Sequence, residues 1–217
     1  MGHEVDLDEL SKKCRLLNNA EIYSARQPTG IRWSNFPIAK LVLTMERFDF
    51  DCFIWESYTF VSSRLRTAMA LPPAAVQYFD VDDSRCSPQI QTNAYKIMNV
   101  TVMEDAIDVS SSGLVMGRLA KDSPEIVTGH GNLHFRQNFH PTYEMFCDRA
   151  VLGHDFCTDS LALRVLNAGC TGVRFFDAER FQPASRAPFR TLRGVERTGA
   201  WDPIHRTLDT ELIEPIT

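Results

Sequence analysis

Two stretches of the chain run through the same order of apolar, polar and breaking positions. In Phe156–Ala178, Thr158 stands where an N-cap belongs, and Asp159 falls in the first turn, where the helix dipole favours a carboxylate. Leu161, Ala162, Val165, Leu166 and Ala168 follow at helical spacing on one apolar face. Gly169 takes the left-handed position past the helix end, Gly172 allows a second sharp turn, and Val173, Phe175 and Ala178 predict a strand. Phe60–Val81 repeats the order. Phe60 aligns with Phe156, Ser62 with Thr158, Leu65 with Leu161 and Met69 with Val165. After a one-residue shift, Tyr78-Phe79-Asp80 aligns with Phe175-Phe176-Asp177. The shared positions are caps, core apolars and strand aromatics, so the unit reads as a way of packing a helix onto a sheet.

Elsewhere the pattern is mainly that of strands. Asp6 to Leu17 predicts a first helix: Asp6 and Glu9 resemble a capping box, and Leu7, Leu10, Cys14 and Leu17 form a stripe. Glu21–Ser24 reads as a short strand before the turn at Gln27–Gly30. Leu41–Thr44 and Phe48–Trp55 are rich in β-branched and aromatic residues. Phe48, Phe50 and Cys52 alternate with Asp49 and Asp51, as a sheet with one wet face requires. Ala94–Glu104 alternates as a strand, Leu114–Leu119 and Glu125–Thr128 suggest a hairpin, and Leu133–Phe139 and Tyr143–Cys147 continue the β-rich middle. The fold class expected is α+β: a mostly antiparallel sheet with a few packed helices and two similar helix–strand units. The organisation expected is an N-terminal helix and entry segment over 1–40, an α+β domain over 41–180, and an extended tail over 181–217 packed on it.

Composition narrows the function classes. With 217 residues, 44% of them hydrophobic, the chain can bury a core without staples. No apolar run approaches the roughly 20 residues that span a bilayer, and Met1–Leu17 has no signal-peptide h-region. Six cysteines without a CxxC pair point to free thiols in a reducing cytoplasm. The net charge of −5 is unevenly spread: Asp80–Asp108 holds six acids against two bases, whereas Arg174–Arg206 holds seven arginines against four acids. Such a protein is poorly suited to nonspecific nucleic-acid binding and better suited to a basic partner.

Candidate chemistry is sparse. His130, His134, His140 and His154 lie near Cys147 and Cys157. The spacing of His130 and His134 fits zinc ligands on a helix, but Gly129, Gly131 and Asn132 oppose a helix there. His154 and Cys157 suggest a thiol nucleophile before a helix, although Cys157 matches Val61 in the other unit, where an apolar residue suffices. Asp49 with Asp51, and Asp105 with Asp108, offer too few oxygens for a hard cation. No phosphate-binding glycine loop or nucleophile elbow occurs. The sequence therefore names no catalytic residue, metal ligand set or cofactor.

Several motifs resemble one family. Phe60-Val-Ser-Ser-Arg-Leu-Arg, Val76-Gln-Tyr-Phe-Asp-Val, Tyr95-Lys-Ile-Met-Asn-Val, Asp105-Ala-Ile-Asp108 with Ser110, and Thr171-Gly-Val-Arg-Phe are similar to segments of the Imm11 immunity proteins of bacterial polymorphic toxin systems. The resemblance covers Phe48–Asp177; the N-terminal extension and the arginine-rich tail depart from it. It implies a non-enzymatic cytoplasmic protein that binds and neutralises a cognate toxin, a nuclease being a common class, without membrane or direct nucleic-acid contact. Asp80, Asp82, Asp83, Glu104 and Asp105 are the residues expected to meet a basic toxin surface, with Asp108 holding the serine-rich turn. Two other readings stay open: a metal- or thiol-dependent hydrolase using the His130–Cys157 region, and a non-enzymatic adaptor. The oligomeric state is not legible.

Overall fold

A computed structural model describes residues 12–27, 30–45, 48–117, 126–130, 132–152, 154–175, 177 and 178, with the backbone alone at 126 and 128–130. The chain divides into two compact units, Met1–Val102 with Arg164–Val173, and Met103–Leu163 with Arg174–Thr217.

The first unit is built on six strands: β1 (Cys14–Leu16), β2 (Ala39–Leu43), β3 (Cys52–Trp55), β4 (Tyr58–Val61), β5 (Val76–Asp82) and β6 (Lys96–Val100). They lie in the order β1-β2-β5-β6-β4-β3. Only β2 and β5 run parallel; the other neighbours are antiparallel. Helices α1 (Asn19–Ala25), α2 (Ser63–Met69) and the single turn α3 (Pro88–Gln91) connect them. One end of the core is aromatic: Phe53 stacks on Phe60 at 4.7 Å, with Phe48 and Tyr95 set edge-on to Phe53. Cys14, Leu41, Leu43, Cys86 and Ile90 belong to the same core. Each large side chain so buried contributes roughly 1.5–3 kcal/mol.

The second unit carries a three-stranded sheet of β7 (Met103–Glu104), β10 (Met145–Asp148) and β11 (Asp155–Cys157), and a two-stranded one of β8 (Leu114–Gly117) and β9 (Ile126–His130). Helix α4 (Asp159–Asn167) begins here and ends in the first unit. The α+β class and the mostly antiparallel pairing agree with the sequence, and β8 with β9 forms the expected hairpin.

The local expectations fail in instructive places. Of the helix expected over Asp6–Leu17, Lys12 and Lys13 are helical, but Cys14–Leu16 is strand β1, where Cys14 and Leu16 turn inward and Arg15 outward; residues 6–11, Leu7 and Leu10 among them, lie outside the described residues. Antiparallel pairing of Cys14 with Leu43 and Leu16 with Leu41 buries both apolar side chains in the core, which a lone helical stripe does not. Glu21–Ser24 is helical within α1, not a strand: Ile22 alone turns inward, and its amide donates to the Asn18 carbonyl at 3.1 Å. Leu133–Phe139 contributes a single bridge, Phe135 to Ile107, instead of a strand.

The repeated unit holds in its first part. Ser62 caps α2 by accepting from the Leu65 amide at 3.1 Å, and Thr158 stands in the same place before α4. Phe60 and Phe156, Leu65 and Leu161, and Met69 and Val165 are buried in pairs. What the two copies share is a strand leading into a capped helix, β4 into α2 and β11 into α4. The strand expected after α4 does not form at residues 173–175, 177 and 178, whereas β5 follows α2. Gly172 shapes the turn that precedes those residues. A Cβ on it would meet the Cys52 carbonyl oxygen at 2.1 Å, and its φ is +76°, so only glycine lets this segment lie against the start of β3. There the Asp51 and Cys52 amides donate to the Thr171 carbonyl at 3.0 and 3.2 Å.

Candidate functional site

The acidic residues expected to meet a partner fall in both units and are not alike. Asp80 points outward from β5, and its carboxylate pairs with Lys96 on β6 at 2.8 Å. Asp82 ends β5 opposite Lys40 of β2 and accepts from the Ser84 amide at 3.1 Å. The bonds from Ser84, with Lys40 and Arg85 near, hold its carboxyl below the usual range. Asp83 is half-buried, and burial followed by the charge of Asp82 raises its carboxyl. In the second unit Glu104 accepts from the Thr142 amide at 3.0 Å, and Asp105 pairs with Arg136 at 2.7 Å. The acid-rich count of Asp80–Asp108, which already includes Arg85 and Lys96, is further offset in space by Lys40 and Arg136. Asp82 is exposed, and its carboxyl stays ionised at neutral pH.

Several motif residues behind the family resemblance fasten the fold. Asp51 is only 6% exposed, which overturns the expectation that it lines a wet face. Its Oδ1 accepts from Ser62 Oγ at 2.6 Å; its Oδ2 accepts from the Thr171 amide at 2.9 Å and faces Arg64 at 3.4 Å. Arg64 also donates to the carbonyls of Ala168 and Gly169, closing the C-terminal end of α4 where a cation suits the dipole. Gln77 and Asn99 face each other across β5 and β6; Gln77 bonds the backbone of Trp33, and Asn99 donates to Ile31. Arg66 donates to the carbonyls of Val61 and Ala94, and its guanidinium lies 5.8 Å from the Tyr78 ring. Asp108 accepts from the hydroxyls of Ser110 and Ser111 at 2.6 and 2.7 Å and from both amides. Those bonds lower its carboxyl to about 2.

Among the described residues, the histidine and cysteine candidates do not gather into a metal-holding group. His134 lies in a loop, where its amide donates to Ser112 Oγ at 2.8 Å; the side chain of His130 lies outside the described set. Among the described residues, no group of three or more His, Cys, Asp or Glu side chains is arranged to hold a metal ion. Burial, and then the carboxylates of Asp159, Asp155 and Glu144, push the Cys157 thiol up to about 12. It is a protonated thiol at neutral pH, the opposite of an activated nucleophile. Cys147 Sγ donates to Asp155 Oδ1 at 3.3 Å, and all six cysteines are free.

A family model comparison matches residues 8–180 to Imm11, an immunity protein family. The chain belongs to the Imm11 immunity protein family. Membership gives the coarse role, neutralising a toxin by binding it, and immunity families are in general not enzymes. The Imm11 match begins at residue 8, so the N-terminal segment that the motif resemblance left outside belongs to the family region, while residues 181–217 lie beyond it. A search of curated proteins finds no match. Among the described residues, no helix is long and apolar enough to cross a membrane.

One surface of this Imm11 chain was not foreseen. Two adjoining cavities, about 210 and 350 Å³, open on the outer face of β1 and β2 and share Leu17 and Arg85. Read as a helix, the segment around Arg15 gives no hint of it. Alternation read over Cys14–Leu16 would have turned Arg15 outward between two buried apolar residues.

Proposed function

We propose that this protein binds a toxin encoded beside it and occludes the toxin's active or substrate-binding surface, that the toxin is a nuclease, and that the encounter takes place in the cytoplasm. The observation that carries the reading is the Imm11 match over residues 8–180. The free cysteines suit a reducing compartment.

Within this proposal Asp80, Asp82, Asp83, Glu104 and Asp105 contribute to the toxin-facing surface. A nuclease exposes cations that hold phosphates, and carboxylates can occupy those positions. Asp82 and Asp83 are the leading pair, because they adjoin at the end of β5, whereas Asp80 and Asp105 form direct ion pairs with Lys96 and Arg136. The test is co-purification with the toxin domain of the adjacent gene, followed by association kinetics. Asp82→Lys with Asp83→Lys should slow association and flatten its dependence on salt, because steering by opposite charge acts mainly on the on-rate. Unchanged kinetics would remove these residues from the interface, and failure of the wild-type protein to bind would refute the immunity role.

A further inference from the structure

We infer that the outer face of β1 and β2 is a docking groove for an acidic, extended segment of the partner protein. The inference rests on the toxin-binding reading and gives that binding a second contact region of opposite sign. The two cavities run over this face and together are lined by Lys12, Arg15, Leu17, Lys40, Val42 and Arg85, among others. Pairing sets the arrangement: Arg15 lies opposite Val42, and the Leu17 amide donates to the Lys40 carbonyl at 2.9 Å. Cys14, Leu16, Leu41 and Leu43 turn to the core, so the alternate residues form the outer face. Leu17 is 49% exposed, an apolar step among cations.

Charge decides the occupant. In a chain of net charge −5, the described residues lining this face include Lys12, Lys13, Arg15, Lys40 and Arg85, and among them Asp82 is the one carboxylate. Carboxylates spaced along an extended chain can meet Arg15, Lys40 and Arg85, while an apolar side chain between them covers Leu17 and Val42. A nucleic acid fits less well. Its continuous phosphates would be repelled by Asp82 and by the protein's overall charge, and it offers Leu17 nothing to cover. Because Asp82 lines one end, the groove is continuous with the acidic pair Asp82 and Asp83. A partner presenting both signs side by side would fix its register there, and a partner of uniform charge would be rejected.

The full-length protein is titrated with a short synthetic peptide carrying glutamate, valine and glutamate at every second position, separated by serines so that all three share one face of an extended chain, and, separately, with the toxin domain of the adjacent gene. The triple variant Arg15→Glu, Lys40→Glu, Arg85→Glu should weaken both roughly a hundredfold, with a shallower dependence on salt. The milder triple change to glutamine, which guards against misfolding, should weaken both about tenfold. Equal binding by wild type and both variants overturns the groove, as does tighter binding of a DNA duplex or anionic vesicles than of the peptide. Toxin binding that survives reversal of the groove overturns the groove and leaves the immunity role standing. Peptide binding that is lost on reversal, in a protein that binds no toxin domain, supports the groove and overturns the immunity role.

Discussion

Replacing Asp148 by alanine should unfold the second unit or come close to it. Asp148 is 0% exposed at the end of β10. Its Oδ2 accepts from the amides of Ala106 at 2.6 Å and Ile107 at 3.0 Å, and its Oδ1 from the amide of Ala150 at 2.7 Å. Alanine removes both acceptor oxygens and their three hydrogen bonds, and strands two fully buried N–H groups and one partly buried. A buried donor left without a partner costs about 1–3 kcal/mol, so the loss should come to roughly 3–6 kcal/mol. A domain has only about 5–15 kcal/mol in total, so the change consumes much of the reserve. Asparagine keeps one oxygen but turns an NH₂ toward a donor, and should cost about 1–3 kcal/mol. Urea unfolding followed by circular dichroism gives the two differences, and hydrogen exchange at Ala106 and Ile107 localises them. An alanine variant within about 1 kcal/mol of wild type, with exchange at those amides unchanged, would refute the reasoning.

Three further outcomes follow from particular contacts. Asp108, lowered from the usual carboxylate value to about 2, binds its proton more weakly folded than unfolded, so its contribution is full above the ordinary value of 3.8 and is lost as the pH falls from there toward 2. Carboxyl-carbon NMR should show a midpoint near 2 that moves up in Ser110→Ala with Ser111→Ala; an unmoved midpoint contradicts the assignment. Gly172→Ala should lower stability by about 2 kcal/mol or more, since the new Cβ meets a backbone carbonyl and the φ is left-handed; thermal unfolding measures it, and a neutral result would mean the Thr171–Asp51 segment is not held as described. Cys157 should react with iodoacetamide at neutral pH far more slowly than a free thiol, and Cys157→Ser should leave toxin neutralisation intact; loss of neutralisation in a folded variant would return the thiol to the functional site.

The parts of this fold legible in the sequence are those whose signals are local. Ser62 and Thr158 announce helix starts because a cap is a short-range bond, and Gly169 announces a helix end because its φ of +64° is costly for other residues. The strands β2, β5 and β6 carry enough apolar and β-branched residues to stand out. What failed depended on distant partners. Arg15 and its neighbours fit a helical stripe as well as a strand until Leu41 and Leu43 supply the pairing. Asp51 alternates as a solvent residue should, yet Ser62, Arg64 and Thr171, up to 120 residues away, satisfy it inside the protein. The candidate site suffered in the same way. A run of acids is countable in sequence, but Lys40, Lys96 and Arg136 reach it from other elements. The motifs that reveal the family include many fastenings, such as Gln77 to Trp33, and so speak for the fold more clearly than for the binding surface.

The central claim is neutralisation by binding, and a titration of toxin activity tests it most directly. Increasing amounts of the protein are added to a fixed amount of the toxin domain from the adjacent gene, and residual activity and toxin mass are recorded. The account predicts that activity falls linearly to a break at a fixed molar ratio, with the toxin's mass unchanged and its activity recovered when the complex is dissociated. Inactivation by far less than stoichiometric protein, a change in the toxin's mass, or full activity at excess protein would contradict it.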